Sequence, residues 1–323
     1  MAIMRIRFLV PAILLFCTAV VFFFTGCKKK RAFKEETGQV TVDNRTTQGE
    51  NDEAIKDVNI VIMEQYLLRG KSAIAQAPLT STTSVCGIKL DTTGLMKGIL
   101  TLNYNGTECY GRIRSGSIRV TLTGYPLKKW KNGGCVLKLE FLGYKVVRTS
   151  DGRSLQLDGT QTLTNESGGT WYDLWFLNQP SVVYTLTGDN VKASFDGGTN
   201  ALYNFNRRMT YTYSGDITTC QVVGLGSSDG RSGLESWGQD REGAKFTAQI
   251  TQPVIWKTKC GAVAPLAGEV VIKVDGKDFD MKCTLGTDKD GNPVGVNAAS
   301  CPYGYEMSWS YKKRTNTRIF SYY

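Results

Sequence analysis

The sequence predicts an all-β fold: a large antiparallel meander curled into an extended sheet or sandwich, with one short N-terminal helix. Three observations carry this. From about residue 79 to the end, apolar and polar residues alternate with period two, as in half-buried strands. Asp-Gly pairs separate the alternating runs, and the glycine accepts the positive φ that primed hairpin turns require. Only one segment keeps helical spacing, while Thr, Tyr and Val, which fit a pleated surface, are abundant.

That segment spans residues 52–70. Ile55, Val58, Ile62 and Tyr66 recur at intervals of three and four, Glu53, Lys56 and Asp57 lie between them, and Gly70 is a fitting stop. An amphipathic helix packing on a sheet is expected. After a loop through Pro78, SIRVTLTGY (117–125) places Ile118, Val120 and Leu122 against Arg119, Thr121 and Thr123. KFTAQIT and EVVIKV repeat the alternation with Phe246, Ala248 and Ile250, and with Val270, Ile272 and Val274. Turn pairs fall at Asp151-Gly152, Asp196-Gly197, Asp229-Gly230, Asp275-Gly276 and Asp290-Gly291. This punctuation predicts about a dozen to fifteen strands in a β domain over residues 79–323. SIRVTLTGYPLK (117–128) and SVVYTLTGDNVK (181–192) echo one another, which opens the question of a duplicated β unit.

The N-terminus reads as a leader. Arg5 and Arg7 precede an apolar run from Phe8 to Phe24, seventeen residues, short for a bilayer span of about 20. Small Thr25 and Gly26 come just before Cys27, and Phe24-Thr25-Gly26-Cys27 resembles a bacterial lipobox, with Phe where Leu is usual. A permanent span would also leave Lys28, Lys29, Lys30 and Arg31 outside, against the positive-inside tendency. The expectation is a lipoprotein signal peptide over 1–26, lipidation of Cys27, and a disordered polar tether over 27–51.

Composition excludes several chemistries. The 323-residue chain has no histidine, which removes Ser-His-Asp and Cys-His catalysis, His-ligated zinc and imidazole switches. Carboxylate-only chemistry, as in glycosidases, survives. Net charge is +10, or +8 once Arg5 and Arg7 leave, and no dense basic stripe interleaved with aromatics points to nucleic acid. No GxSxG, Walker loop or dinucleotide fingerprint is present, and nothing requires a cofactor or a metal. Of nine cysteines, Cys17 leaves with the leader and Cys27 takes the lipid. The remaining seven form no CxxC, so disulfides are expected in an oxidising compartment: Cys86 with Cys109, and Cys260 with Cys283 or Cys301.

Two stretches could carry a site. WYDLWF (171–176), read as a strand, puts Trp171, Asp173 and Trp175 on one face: two flat rings for stacking a sugar and an acid for its hydroxyls. A strand buried on both faces is the alternative, and the preferred one. TDKDGNP (287–293) spaces Asp288, Asp290 and Asn292 like the start of a calcium loop, but its glycine falls too early and the last ligand is missing, so it reads as a polar hairpin turn.

The runs CYGRIRSGSIRVTLTG (109–124), DGTQTLTN (158–165) and EGAKFTAQITQPVIWKTKC (242–260) resemble a group of uncharacterised, β-rich lipoproteins of Bacteroidota. The resemblance covers roughly residues 50–311. It implies an envelope lipoprotein without an assigned activity, and carries over no functional residues. Under it, Asp91-Thr92-Thr93 matches a short O-glycosylation pattern with Thr92 as acceptor.

Together these lines lead us to expect a membrane-anchored cell-envelope lipoprotein, outer membrane favoured, with a non-enzymatic binding, adhesion or structural role. Its partners are the membrane through the N-terminal lipid, and a glycan or another envelope protein. The alternative is a carbohydrate-binding or carboxylate-dependent glycan-active protein. A barrel that carries a lipid is a third reading.

Overall fold

The computed structural model describes residues 36–70, 83–196, 198–277, 280–311 and 314–322. Two compact units divide at Val42/Asp43, and the packing described below lies within the second. Helix α1 covers Glu36–Glu64 and α2 Tyr66–Arg69. The strands are β1 Ile88–Asp91, β2 Ile99–Cys109, β3 Arg112–Leu122, β4 Cys135–Arg148, β5 Ser154–Asn165, β6 Val182–Phe195, β7 Thr199–Ser214 and β8 Ile217–Gly224. They continue with β9 Gly226–Ser228, β10 Arg231–Gln239, β11 Lys245–Lys257, β12 Ala267–Val274, β13 Met281–Thr287, β14 Gly304–Tyr311 and β15 Arg314–Ser321. A third helix, α3, covers Trp171–Phe176.

All fifteen described strands belong to one antiparallel sheet, so the expected all-β meander is what forms. Neighbours follow chain order from β1 to β7 and from β10 to β15. Between β7 and β11 two strands share one lane. Leu202–Phe205 of β7 and Lys245–Gln249 of β11 pair with β10, whereas Arg207–Ser214 and Val254–Lys257 pair with β8. Asp151-Gly152, Asp229-Gly230, Asp275-Gly276 and Asp290-Gly291 lie in connections between strands, Gly197 lies outside the described residues, and Asp229 (φ 49°) with Gly230 (φ 74°) has the two positive φ values of a type I′ turn.

A row of register shifts crosses five consecutive strands, at Asn105/Glu108, Ser115/Ser117, Phe141/Tyr144, Asp158/Gln161 and Gly188/Val191. Such bulges bend and coil a sheet. In β4 the shift changes which parity faces inward: Cys135, Leu137, Leu139 and Phe141 are buried before it, Tyr144 and Val146 after it. Gly116 sits at this line with φ +84°, and a Cβ there would lie 2.0 Å from the Gly143 carbonyl oxygen.

The bent sheet surrounds α1 from Asp43 onward. No residue from 43 to 64 is exposed, and apolar Ala54, Ile55, Val58, Val61 and Ile62 are fully buried together with many polar neighbours. Two expectations are corrected here. Residues 36–51 are not tether but the first half of a 29-residue helix. The short amphipathic helix over 52–70 is instead a long buried one ending at Glu64, followed by the separate turn α2. The cause is that the polar residues of 43–57 bond to the sheet and so remain inside. Gly70 does stop the helical segment, in the left-handed conformation with its N–H on Tyr66 O.

The 117–128 echo is strand vocabulary only. Gly124 follows the end of β3 in a turn, whereas Gly188 lies inside β6 at a bulge. Gly116→Ala is expected to destabilise the protein by about 2 kcal/mol or more, because a methyl group meets backbone on the facing strand. Gly143→Ala, at φ +60° with open space around its Cβ, should cost only about 1 kcal/mol. Urea midpoints of the two variants check the difference.

Candidate functional site

Acidic residues project from α1 toward arginines that point inward from the sheet. On β3, Arg112 and Arg114 share the inward parity of Ile118, Val120 and Leu122. On β7, Arg207 stands among inward-facing Tyr203, Phe205, Met209 and Tyr211. Arg112 Nε donates to Glu50 Oε1 at 2.6 Å, and Arg207 Nη2 to Asp52 Oδ1 at 2.6 Å. Arg114 Nη1 and Tyr104 Oη both donate to Asp57 Oδ2 at 3.1 Å. Glu53 pairs with Lys56, accepts the Ala262 N–H at 3.0 Å, and lies 3.7 Å from Arg114 Nη2. In the reverse sense, Arg45 of the helix pairs with Glu235 of β10, which also accepts from Asn44 Nδ2 at 3.1 Å. Asp43 takes both Arg241 Nε at 2.6 Å and Nη2 at 2.5 Å. Neutral bonds complete the set, Gln161 Nε2 to Asn51 Oδ1 at 2.9 Å and Ser236 Oγ to Asn44 Oδ1 at 2.8 Å.

Electrostatics follow from burial against pairing. Burial pushes the Asp57 carboxyl up to about 6, with Arg114 opposing and Glu53 adding to the rise. Burial likewise raises Asp52 against the pull of Arg207. For Glu53 burial is outweighed by Lys56 and Arg114, and its carboxyl titrates low. Burial works against the Arg114 charge, but Tyr144, Asp57, Glu53 and Glu50 outweigh it and hold that guanidinium charged. Arg45 Nε, Gln48 Oε1 and Arg207 Nε make no hydrogen bond and belong to residues lining a small cavity of about 20 Å³, enough for a single water. Each of these carboxylates is engaged by a cation inside the protein, which makes the cluster a lock on the helix. Sequence reading missed Arg112, Arg114 and Arg207, although their parity within apolar alternation was the signal.

The expected stacking face does not form. WYDLWF is helix α3 and not a strand: Thr170 precedes it, and both its N–H and its hydroxyl donate to Asp173 Oδ2 at 2.7 Å, the former as part of a capping box. Asp173 is therefore a cap. Trp171 is buried, with its ring 5.1 Å from Tyr211. Trp175 is half-buried, donates Nε1–H to Thr218 Oγ1 at 2.8 Å, and lies beside Phe176 and Tyr213.

Cys86–Cys109 and Cys260–Cys301 are disulfides. Cys283 is not in one, and Cys135 and Cys220 are buried thiols. Cys27 lies outside the described residues. Thr92 is half-buried after β1, where Asp91 accepts both the N–H and hydroxyl of Thr93. Asp288 accepts the N–H groups of Asp290 and Asn292 at 2.9 and 2.8 Å, which is a side-chain-closed turn. Among the described residues no group of three or more Cys, Asp or Glu is placed to hold a metal ion. Nor is any described helix long and apolar enough to cross a membrane. An open cleft near the β12–β13 turn mixes Arg231, Lys245 and Lys273 with Asp229 and Asp280, and Lys273 Nζ lies 2.9 Å from Asp280. No family model, curated protein or solved structure matches the chain.

Removing one partner of a buried pair leaves the other charge stranded, so Arg207→Ala should cost about 3–5 kcal/mol. The pair Asp52→Leu and Arg207→Met together should come within about 1 kcal/mol of wild type. Chemical denaturation of the three variants measures this. Below about 6 Asp57 binds a proton in the folded chain, but in the unfolded chain only near its ordinary 3.8. Between those values the folded state holds more protons, and stability falls as pH rises. Through this group wild type should therefore lose stability between pH about 4 and about 6, and Asp57→Asn should lose less, read from urea midpoints.

Proposed function

We propose that this protein is a non-enzymatic cell-envelope lipoprotein, anchored through Cys27, whose β domain is a rigid scaffold for binding or for a structural role. The observation that carries the reading is the engagement of Glu50, Asp52, Glu53 and Asp57 by cations inside the sheet. Carboxylates held this way brace the helix and are closed to a substrate, which turns recognition over to the surface loops. Two disulfides fit an oxidising compartment, in keeping with a leader that exports the chain. The space inside the sheet is taken by α1 from Asp43 onward, which weighs against a lipid-carrying barrel.

Cys27→Ser should abolish palmitate labelling and release the protein from the membrane fraction. Labelling that persists returns the apolar run to the role of a span. Incubation of the full chain with a glycan panel should yield no cleavage product, and product formation would overturn the non-enzymatic reading.

A further inference from the structure

One end of the second unit carries a continuous apolar and basic rim built from four segments. The 3-10 turn Leu95–Lys97 packs on α2, and its cap Gly98 faces the Tyr125 side chain. Lys129 Nζ lies 4.0 Å from the Tyr125 ring. The following residues attach to α2 through Trp130 N–H on Leu68 O at 2.9 Å, and to the α3 entry through Gly169 N–H on Lys131 O at 2.8 Å. Arg69 lies 3.9 Å over the Tyr172 ring, and Tyr172 meets Phe176 at 4.9 Å. The rim is thus one connected surface.

Its exposed tips are unusually apolar. Leu127 is 94% exposed, Met96 68%, Phe176 62% and Leu177 60%. Scattered single apolar residues need no explanation, but grouped ones mark an interaction surface. Its charge is mostly basic: residues 66–70, 93–99, 122–134 and 168–178 hold Arg69, Lys97, Lys128, Lys129 and Lys131 against Asp173, which caps α3, and Glu166 at the edge of the rim is paired with Arg208. Half-buried Trp175 and Tyr172 stand behind the tips, as amphipathic rings do at a bilayer boundary. A sugar site would need polar groups converging on a hollow, and a protein partner offers no reason for the excess of lysine. Apolar tips ringed by flexible cations match a surface whose phosphates lie just above hydrocarbon.

We propose that this rim docks on an anionic phospholipid surface, with Leu127, Phe176 and Leu177 entering the headgroup region and Lys97, Lys128 and Lys131 facing the phosphates. The rim acts independently of how residues 8–27 are processed, since either anchor leaves it outside the anchoring segment.

The test uses the full chain held by its own N-terminal segment in phosphatidylcholine vesicles. Brominated phosphatidylglycerol is supplied either in the same vesicle or in added vesicles, and quenching of tryptophan emission is read. Quenching in either arrangement, with little for brominated phosphatidylcholine, is the expected result. Lys128→Gln with Lys131→Gln should weaken the dependence on phosphatidylglycerol roughly 25-fold, about fivefold per cation. Phe176→Ser with Leu177→Ser should weaken it roughly tenfold or more. Leu127→Ser, at a nearly fully exposed position, should reduce quenching without moving the thermal midpoint, which separates docking from folding. Absence of quenching in both arrangements, equal quenching by the two lipids, or quenching indifferent to these substitutions overturns the proposal. Glycan-array binding lost on Trp175→Ala without vesicle quenching overturns it in favour of a sugar surface.

Discussion

An ionised carboxylate taken out of water costs several kcal/mol even after relaxation, and α1 carries Glu50, Asp52, Glu53 and Asp57 into the interior within little more than two turns. That cost sets terms for the rest of the second unit. Arginines must point inward at matching heights, which fixes Arg112 and Arg114 on β3 and Arg207 on β7. The sheet must also reach the helix from several sides, because one helix presents these acids around its circumference. Bonds from α1 go to β2, β3, β5, β7, β10 and the β11–β12 connection. The aligned bulges on β2 to β6 supply the curvature that brings those strands round.

Polar pairing also specifies register. Side chains on a strand alternate faces, so a slip of one residue in β3 would turn Arg112 and Arg114 outward and bring Ile113 against the helix acids. An apolar interior would tolerate such a slip more readily. The disulfides act at a different level: Cys86–Cys109 ties the segment before β1 to the end of β2, and Cys260–Cys301 ties the β11–β12 connection to the β13–β14 connection. They restrain the connecting segments while the ion pairs set the alignment of the strands.

Much of this was legible in the chain. Period-two alternation located the strands, Asp-Gly pairs located turns, and proximity named Cys86 with Cys109. The extent of α1 was not legible, for a physical reason. Residues 36–51 have no apolar stripe, and local composition reads as solvated chain. What makes them helix is a set of partners far along the sequence, such as Glu235 for Asn44 and Arg241 for Asp43, 191 and 198 residues away. WYDLWF failed differently. Six residues are too few to separate period two from period 3.6, and the deciding signal was Thr170 three positions before Asp173, a capping box that fixes a helix start. Arg207 between Phe205 and Met209 was equally readable: a charge at an inward position forecasts a buried partner.

A lock made of charges divides the molecule's tasks. The groups with reactive potential, among them Asp52 and Asp57 shifted upward by burial, hold the helix and face no solvent, so altering them acts first on stability. Exposed positions such as Leu127, in the β3–β4 connection, and Phe176, the last residue of α3, stand in solvent outside this lock. An interior that resists rearrangement lets such loops be apolar without unravelling the fold, because their burial was never part of what holds it together. The same division explains how aromatic Trp175 serves two sides, its Nε1–H anchored on Thr218 while its neighbour Phe176 stands in solvent. If the proposed docking holds, recognition belongs to the rim, and the polar interior is what presents that rim at a fixed position.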